Sequence, residues 1–367
     1  MSPRSPAFML LFSVSLIAAA GNMALQSVLP AIGREFGLPD ILVSGAFAIS
    51  ALLWMLTSPV WARMSDTMGR KRVILIGMGG FVVSMFGFGL SASLGLVHLL
   101  PALVAFAMMA VARAIYGVFG SAAPIASQAY VADRTGRKDR TRFMSLLASA
   151  QGLGTVIGPA VAPFFVLPFV GLAGPLYAFA LMGAVALYLV WRRLPSGGVR
   201  RQPSEGNRPP DGKGLWRDPR VRDYMIFGLI LLSAQAVNIS VLGFHIIDEL
   251  AVDGSGSATE AQPFIGVAML AGAAATLMIQ WGVIPTFRMQ PRQLMQWGVV
   301  LVILGNLISA LGMGYFGAVV GYAVISMGAG FARPGFMAGS SLRGASVSPV
   351  LASGKKRFGS PKVWTRV

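Results

Sequence analysis

The sequence predicts an all-α integral membrane protein with about ten membrane-crossing helices, and three observations predict it. The 367 residues are 55% apolar and only 12% charged, where a soluble domain is nearer about 45–50% and 25%. The mean hydropathy of +0.69 is correspondingly high. Ten apolar runs reach the roughly 20 residues that a helix needs to cross a hydrocarbon core ~30 Å thick. Runs such as Ile74–Phe88 do not alternate apolar with polar, so barrel strands are excluded and helices must satisfy their own backbone groups.

The first run covers residues 7–29. Arg4 followed by an apolar stretch to Ala18-Ala19-Ala20-Gly21 has the look of a signal peptide. The run continues to Val28, however, and carries Asn22 and Gln26 at i, i+4 on one face, so it is read as a retained helix. The second run, 42–62, ends at a charged loop, Ala62-Arg63-Met64-Ser65-Asp66-Thr67-Met68-Gly69-Arg70-Lys71-Arg72. Run 73–94 follows. The fourth, 98–123, holds Arg113 well inside it. The fifth, 143–166, contains Gln151, Gly154, Gly158 and Pro159, and the sixth is 170–191. Residues 193–222, rich in Arg, Pro, Gly and Asp, read as a linker. The seventh run, 223–246, carries Gln235 and Asn238 at i, i+3. Runs 263–284, 293–312 and 315–338 complete the ten.

Orientation follows from the basic residues. With the N-terminus inside, twenty-one Lys and Arg fall in the cytoplasmic segments and one, Arg34, in an external loop, which is the positive-inside asymmetry. The acids Asp248, Glu249, Asp253 and Glu260 gather outside after the seventh run. This placement accounts for the net charge of +17 without nucleic acid as a partner. The absence of Cys and the presence of only His98 and His245 argue against disulfides, thiolate sites and a multi-histidine metal centre. A membrane-embedded enzyme would need a dense catalytic constellation, and none is visible. No metal and no resident cofactor are expected.

Four stretches carry chemistry. Gly69 permits a tight turn between two helices, with charges of both signs at the boundary. Arg113 within a span is costly and so marks a functional cavity rather than a lipid face. Gly154 and Gly158 form a small-xxx-small face for close helix approach, and Pro159 removes a backbone hydrogen bond and bends its helix. After the fourth run comes Ala132-Asp133-Arg134 through Arg140, again mixing charges.

In this order the stretches resemble the major facilitator superfamily. Asp66, Gly69, Arg70 and Lys71 are similar to its G-x-x-x-D-x-x-G-R-[KR] loop motif, although Ala62 stands where the first Gly would be. Arg113 and Gly117 resemble its fourth-helix R-x-x-x-G pattern, which the family associates with proton coupling. Gly154, Gly158 and Pro159 resemble the G-x-x-x-G-P signature of its antiporter branch, with Ala162 and Pro163 in place of the usual following Gly pair. The resemblance implies that Asp133 and Arg140 join a cytoplasmic charge cluster in which Asp133 pairs with Arg70, and that Asp66 belongs to the gate. Arg288, Pro291 and Arg292 are a worn copy of the loop motif in the second half.

The resemblance further implies a 6 + 6 helix pseudo-repeat: a bundle at 1–192, the linker at 193–222 and an incomplete bundle of four helices at 223–340. Residues 341–367 form a basic tail, read as disordered. The abrupt change of composition near Ser341 is read as a truncation or frameshift that removes two spans, the alternative being a natural basic tail. The expected function is a monomeric secondary transporter in the bacterial inner membrane. It would move a small organic compound by alternating access, by efflux, with the proton as coupling ion. An uncoupled facilitator and a non-transporting product are the alternatives. Asn22, Gln26, Arg113, Gln151, Gln235 and Asn238 are expected to line the pathway, and amides there suit a neutral or weakly polar compound. All 13 acids lie in loops or at helix ends, so proton coupling rests on Arg113 and the resemblance.

Overall fold

In the computed structural model, residues 5–196, 219–252, 258–287, 289–311 and 314–345 are described. The helices are α1 (Pro6–Glu35), α2 (Asp40–Met68), α3 (Arg70–Leu96), α4 (Ala102–Phe119), α5 (Ala122–Arg134), α6 (Arg137–Val161), α7 (Gly174–Arg193), α8 (Pro219–Val252), α9 (Ala258–Leu277), α10 (Ile284–Phe287), α11 (Pro291–Ala310) and α12 (Gly314–Ala345). Ten helical stretches are long and apolar enough to cross a membrane, α4 and α5 together making one of them, Ala102–Arg134. The described residues contain no strand, only an isolated bridge between Leu167 and Gly171.

The ends follow local chemistry. The Ser5 hydroxyl accepts from the Phe8 amide at 3.4 Å, with Pro6 at the first helical position, an N-cap with a preorganised first turn. Gly69, at φ +94°, both ends α2 and starts α3, a backbone conformation that side chains disfavour.

Several boundaries differ from the sequence expectation. The run at 98–123 becomes a helix that begins at Ala102, breaks at Gly120–Ser121 and continues to Arg134. The run at 143–166 starts six residues earlier and stops at Val161, followed by a 3-10 turn, Ala162–Phe165. The eighth run contains a π-helical turn, Met278–Val283. Helix α8 begins at Pro219, inside the expected linker, and α12 continues to Ala345, inside the expected tail. A 20-residue template finds the part of a helix in hydrocarbon, and polar residues then extend it past that layer. Residues 197–218 and 346–367, most of the linker and tail, lie outside the described residues.

The chain divides into two compact units. The first comprises Met1–Arg201, Asn238–Ala274 and Gly305–Ala323, the second Gln202–Val237, Ala275–Leu304 and Val324–Val367. This division cuts the C-terminal helices, whereas the sequence suggests a cut at the linker. In the first unit α1 packs on α6 and α7, α3 on α4, α5 and α7, and α2 on α4 and α5. Leu11, Leu25, Met78, Phe81, Tyr130 and Phe179 are fully buried there. The same unit holds a smaller cluster in which Leu242 and Ile246 of α8 meet Ile265 of α9 and Tyr322 of α12. In the second unit Ile279, Leu294 and Phe331 form the core. The outer faces are apolar, with Leu52, Met55, Leu56, Val111 and Leu181 exposed, as lipid contact requires.

Candidate functional site

The site is centred on Arg113 of α4, which is 5% exposed. Its Nη2 donates to Asn22 Oδ1 of α1 at 2.7 Å. The guanidinium carbon lies 4.6 Å from the Phe47 ring centroid and 4.8 Å from that of Tyr116, both within cation–π range. Nε and Nη1 have no hydrogen-bond partner among the described residues. Among the described residues no carboxylate pairs with Arg113, and its side-chain acceptor, Asn22 Oδ1, is neutral.

Gly117, one turn beyond Arg113, positions the stack. A Cβ there would stand 2.7 Å from the Ser50 carbonyl oxygen and 2.9 Å from Leu53 Cβ. Only glycine lets α4 lie this close to α2. Thr57 and Trp61 tie the same helices further along, the Trp61 indole donating to the Val118 carbonyl at 2.6 Å. Phe47, less than one turn before Ser50, is thereby held over the guanidinium.

Gly154 and Gly158 seat α6 on α1. A Cβ on Gly154 would meet the Leu16 carbonyl oxygen at 2.6 Å and Ala19 Cβ at 2.7 Å, and one on Gly158 would collide with the Ala20 carbonyl. This contact runs up to the turn of α1 before Asn22, so the small-residue face of α6 braces the helix that carries Arg113's partner. Pro159 lies within α6 near its end.

Gln26, one turn beyond Asn22, lines a cavity of about 10 Å³ with Phe47, Ser240 and Phe244, room for a single water. Beyond it, toward the Glu35 end of α1, Arg34 Nη2 pairs with Asp40 and with Asp248 of α8, each at 2.9 Å. The Thr259 hydroxyl donates to Glu35 at 2.9 Å, and Gly243 packs on Pro30. These contacts join α1 to α8 and α9 at the Glu35 end of α1.

The loop motif forms a second cluster at the opposite end of α2. Arg70 Nε donates to Asp133 Oδ2 at 3.0 Å and Nη1 to Ser65 Oγ at 3.0 Å, while Asp66 also pairs with Arg70. Lys71 Nζ donates to the Trp191 carbonyl near the C-terminus of α7 at 2.8 Å, where a cation meets the negative end of the helix dipole. The Arg140 side chain lies outside the described residues.

Of the expected pathway residues, Arg113 and Asn22 meet directly and Gln26 lines the cavity beside them. Gln151 is exposed on α6, and its side chain has no hydrogen bond among the described residues. The helical period fixes a residue's face and not its neighbours. Asn238 belongs to the first unit. Gln235 belongs to the second, where Arg333 Nη2 donates to its Oε1 at 3.4 Å. The sequence reading missed Arg333, although the cost of a charge within a span flags it as it flags Arg113. It also missed Phe47, for which an apolar run gives no signal.

The family model described as Major Facilitator Superfamily matches residues 11–344. Multidrug resistance protein 1 of Bacillus subtilis (strain 168) is 27% identical over 239 residues, covering 64% of this chain and 56% of that protein. The class D tetracycline resistance protein of Salmonella ordonez is 28% identical over 188 residues, 48% of this chain and 42% of that protein. The chain thus spans about half the length of these curated relatives. Among solved structures, a bacterial homolog of the human lysosomal transporter Spinster, inward-facing and unoccupied, superposes with a TM-score of 0.66 at 15% identity, covering 95% of this chain and 78% of that one. The nucleoside transporter NupG gives 0.67 at 16%, covering 95% and 84%. At these identities the two structures support the fold alone.

Proposed function

The chain belongs to the Major Facilitator Superfamily, and from that premise we propose that it is a secondary transporter moving a small organic compound across the membrane by alternating access. The proposal includes efflux coupled to protons, the bacterial inner membrane as location, and a cytoplasmic N-terminus that turns the Glu35 end of α1 outward. The observation that carries it is Arg113, a cation kept inside a span beside Asn22 at 2.7 Å, because an intramembrane charge is retained where it serves a pathway. The Arg34–Asp248 clamp supports it, since alternating access needs one closed end in each state. Relatives named for multidrug and tetracycline resistance support the efflux direction, and the basic cytoplasmic loops support the topology.

A second reading, an uncoupled facilitator, is favoured by the absence of any Asp or Glu deep in a span: all 13 acids lie in loops or at helix ends. Everted membrane vesicles containing the full chain separate the two, with tetracycline and 1-naphthoate as probes. Proton-coupled efflux gives chain-dependent uptake that a protonophore abolishes and that Arg113→Ala and Asn22→Ala remove. Uptake indifferent to the protonophore selects the facilitator. Uptake with unchanged kinetics in both variants defeats the assigned site, and uptake of neither probe above empty vesicles defeats efflux of these compounds.

A further inference from the structure

We propose that Arg113 is an anion subsite, and that the transported compound is an organic monoanion whose carboxylate serves as the counter-ion this arginine lacks. The inference deepens the transporter reading above and rests on it.

The first step concerns neutralisation. A buried ion costs several kcal/mol in general unless it is paired and its hydrogen bonds are satisfied. Arg113 is only 5% exposed, yet its side-chain hydrogen-bond partner among the described residues is an amide oxygen and not a carboxylate. Phe47 and Tyr116 offset part of the cost through their ring faces, but a neutral ring carries no net charge to cancel that of the guanidinium. Nε and Nη1 have no acceptor among the described residues.

The second step concerns the sign of the groups on offer. Asn22 uses its oxygen on Arg113, which leaves its NH₂ as a donor. The unused groups at this point are therefore N–H donors on both residues. An acceptor-only ligand group fits them. A carboxylate accepts from a guanidinium through two oxygens and cancels its charge, whereas a neutral amide or alcohol supplies an acceptor without the charge. An organic anion thus replaces the neutral or weakly polar compound expected from the amide side chains alone.

The third step concerns access. Phe47 covers the guanidinium on one side and on the other lines the cavity with Gln26, Ser240 and Phe244. That cavity holds no more than a water at about 10 Å³, so the ligand enters when the Arg34–Asp248 end or the Phe47 ring moves. The aromatic cover also fits the apolar body of an organic anion better than it fits a hydrated inorganic ion.

The test reads binding and not transport, so that its failure is distinct from failure of the transporter reading. The full chain, purified in detergent at fixed ionic strength, is unfolded thermally in sodium benzoate or 1-naphthoate, in the matched benzamide or 1-naphthamide, and in sodium chloride. The carboxylates are expected to raise the midpoint saturably by about 2 °C or more relative to amides and chloride. Arg113→Gln and Asn22→Asp are expected to abolish that difference, the first by removing the cation and the second by supplying a carboxylate from within. Arg63→Gln, at an exposed arginine, is expected to keep it. If Arg113→Gln does not fold, Asn22→Asp alone decides. Equal shifts with carboxylates and amides, no shift with either, or a shift that survives Asn22→Asp overturns the subsite. A chloride shift as large as the carboxylate shift overturns the organic assignment.

Discussion

Arg34 of α1 and Asp248 of α8 are joined at 2.9 Å, and the same guanidinium holds Asp40 at 2.9 Å, so the one basic residue of the expected external loops ties the first bundle to a helix from beyond the linker. The side chains are 34% and 58% exposed, and an exposed pair contributes roughly 0.2–1 kcal/mol. Asp248→Asn is therefore expected to raise the open population of this end about 1.5–5-fold. The chain has no cysteine, so Ser240→Cys, in the cavity beneath the clamp, is a sole thiol. Its labelling rate by a membrane-impermeant maleimide reports the opening. The effect of Asp248→Asn shrinks in high salt, because screening weakens the pair in the parent as well. Equal labelling in parent and variant at low salt would show that the pair does not hold this end shut.

The glycines of α6 differ sharply in what they tolerate. Gly158→Ala puts a methyl against the Ala20 carbonyl, and Gly154→Ala puts one 2.6 Å from the Leu16 carbonyl oxygen, whereas Gly152 has open space around it. Overpacking against a backbone costs about 1–3 kcal/mol, so the first two are expected to lower the unfolding midpoint in detergent by several degrees. Gly152→Ala is expected to leave it unchanged or raise it, because Ala is the better helix former by up to ~1 kcal/mol. A Gly152→Ala loss equal to that of Gly158→Ala would refute the close approach of α6 to α1.

The elements whose signal is a repeated property were legible. Ten apolar runs correspond to ten spanning stretches, and Gly154 and Gly158 make the close approach that their spacing implies. What the sequence could not supply was specific contact between distant positions. Asn22 and Arg113 stand 91 residues apart and meet at 2.7 Å; the sequence placed both in one cavity without pairing them. Gln151 looks equivalent to Asn22 as an amide in an apolar span, yet it is exposed while Asn22 meets Arg113, a difference no sequence period predicts. The continuation of α12 to Ala345 was hidden by composition: small and polar residues end an apolar run without ending a helix.

Gly117→Ala is expected to act at a distance on Arg113. The added methyl would meet the Ser50 carbonyl oxygen at 2.7 Å, so α2 must move away and carry Phe47 off the guanidinium. A loss of about 1–3 kcal/mol in stability should accompany a marked fall in transport. A stabilising second change elsewhere, large enough to offset that loss, should restore the midpoint but not the transport. Restoration of both together would mean that Gly117 matters only for folding.

The two acids on Arg70 are expected to separate stability from cycling. Arg70 and Asp133 are each 20% exposed, whereas Asp66 is 67% exposed. Removing Asp133 leaves a mostly buried guanidinium with a partner that water already screens, while removing Asp66 leaves the better-buried pair intact. Asp133→Asn should thus lower the unfolding midpoint by several degrees and Asp66→Asn by less, since exposed pairs contribute about 0–1 kcal/mol. Transport is expected to show the reverse order. Asp66 is the more accessible acid, free to exchange partners, and the loop motif it belongs to resembles the superfamily's gate. Asp66→Asn should then reduce initial transport rates in vesicles at nearly unchanged midpoint, a pattern that loss of folding cannot produce. If both substitutions lower midpoint and rate in the same proportion, the cluster is a structural joint and Asp66 has no separate part in the cycle.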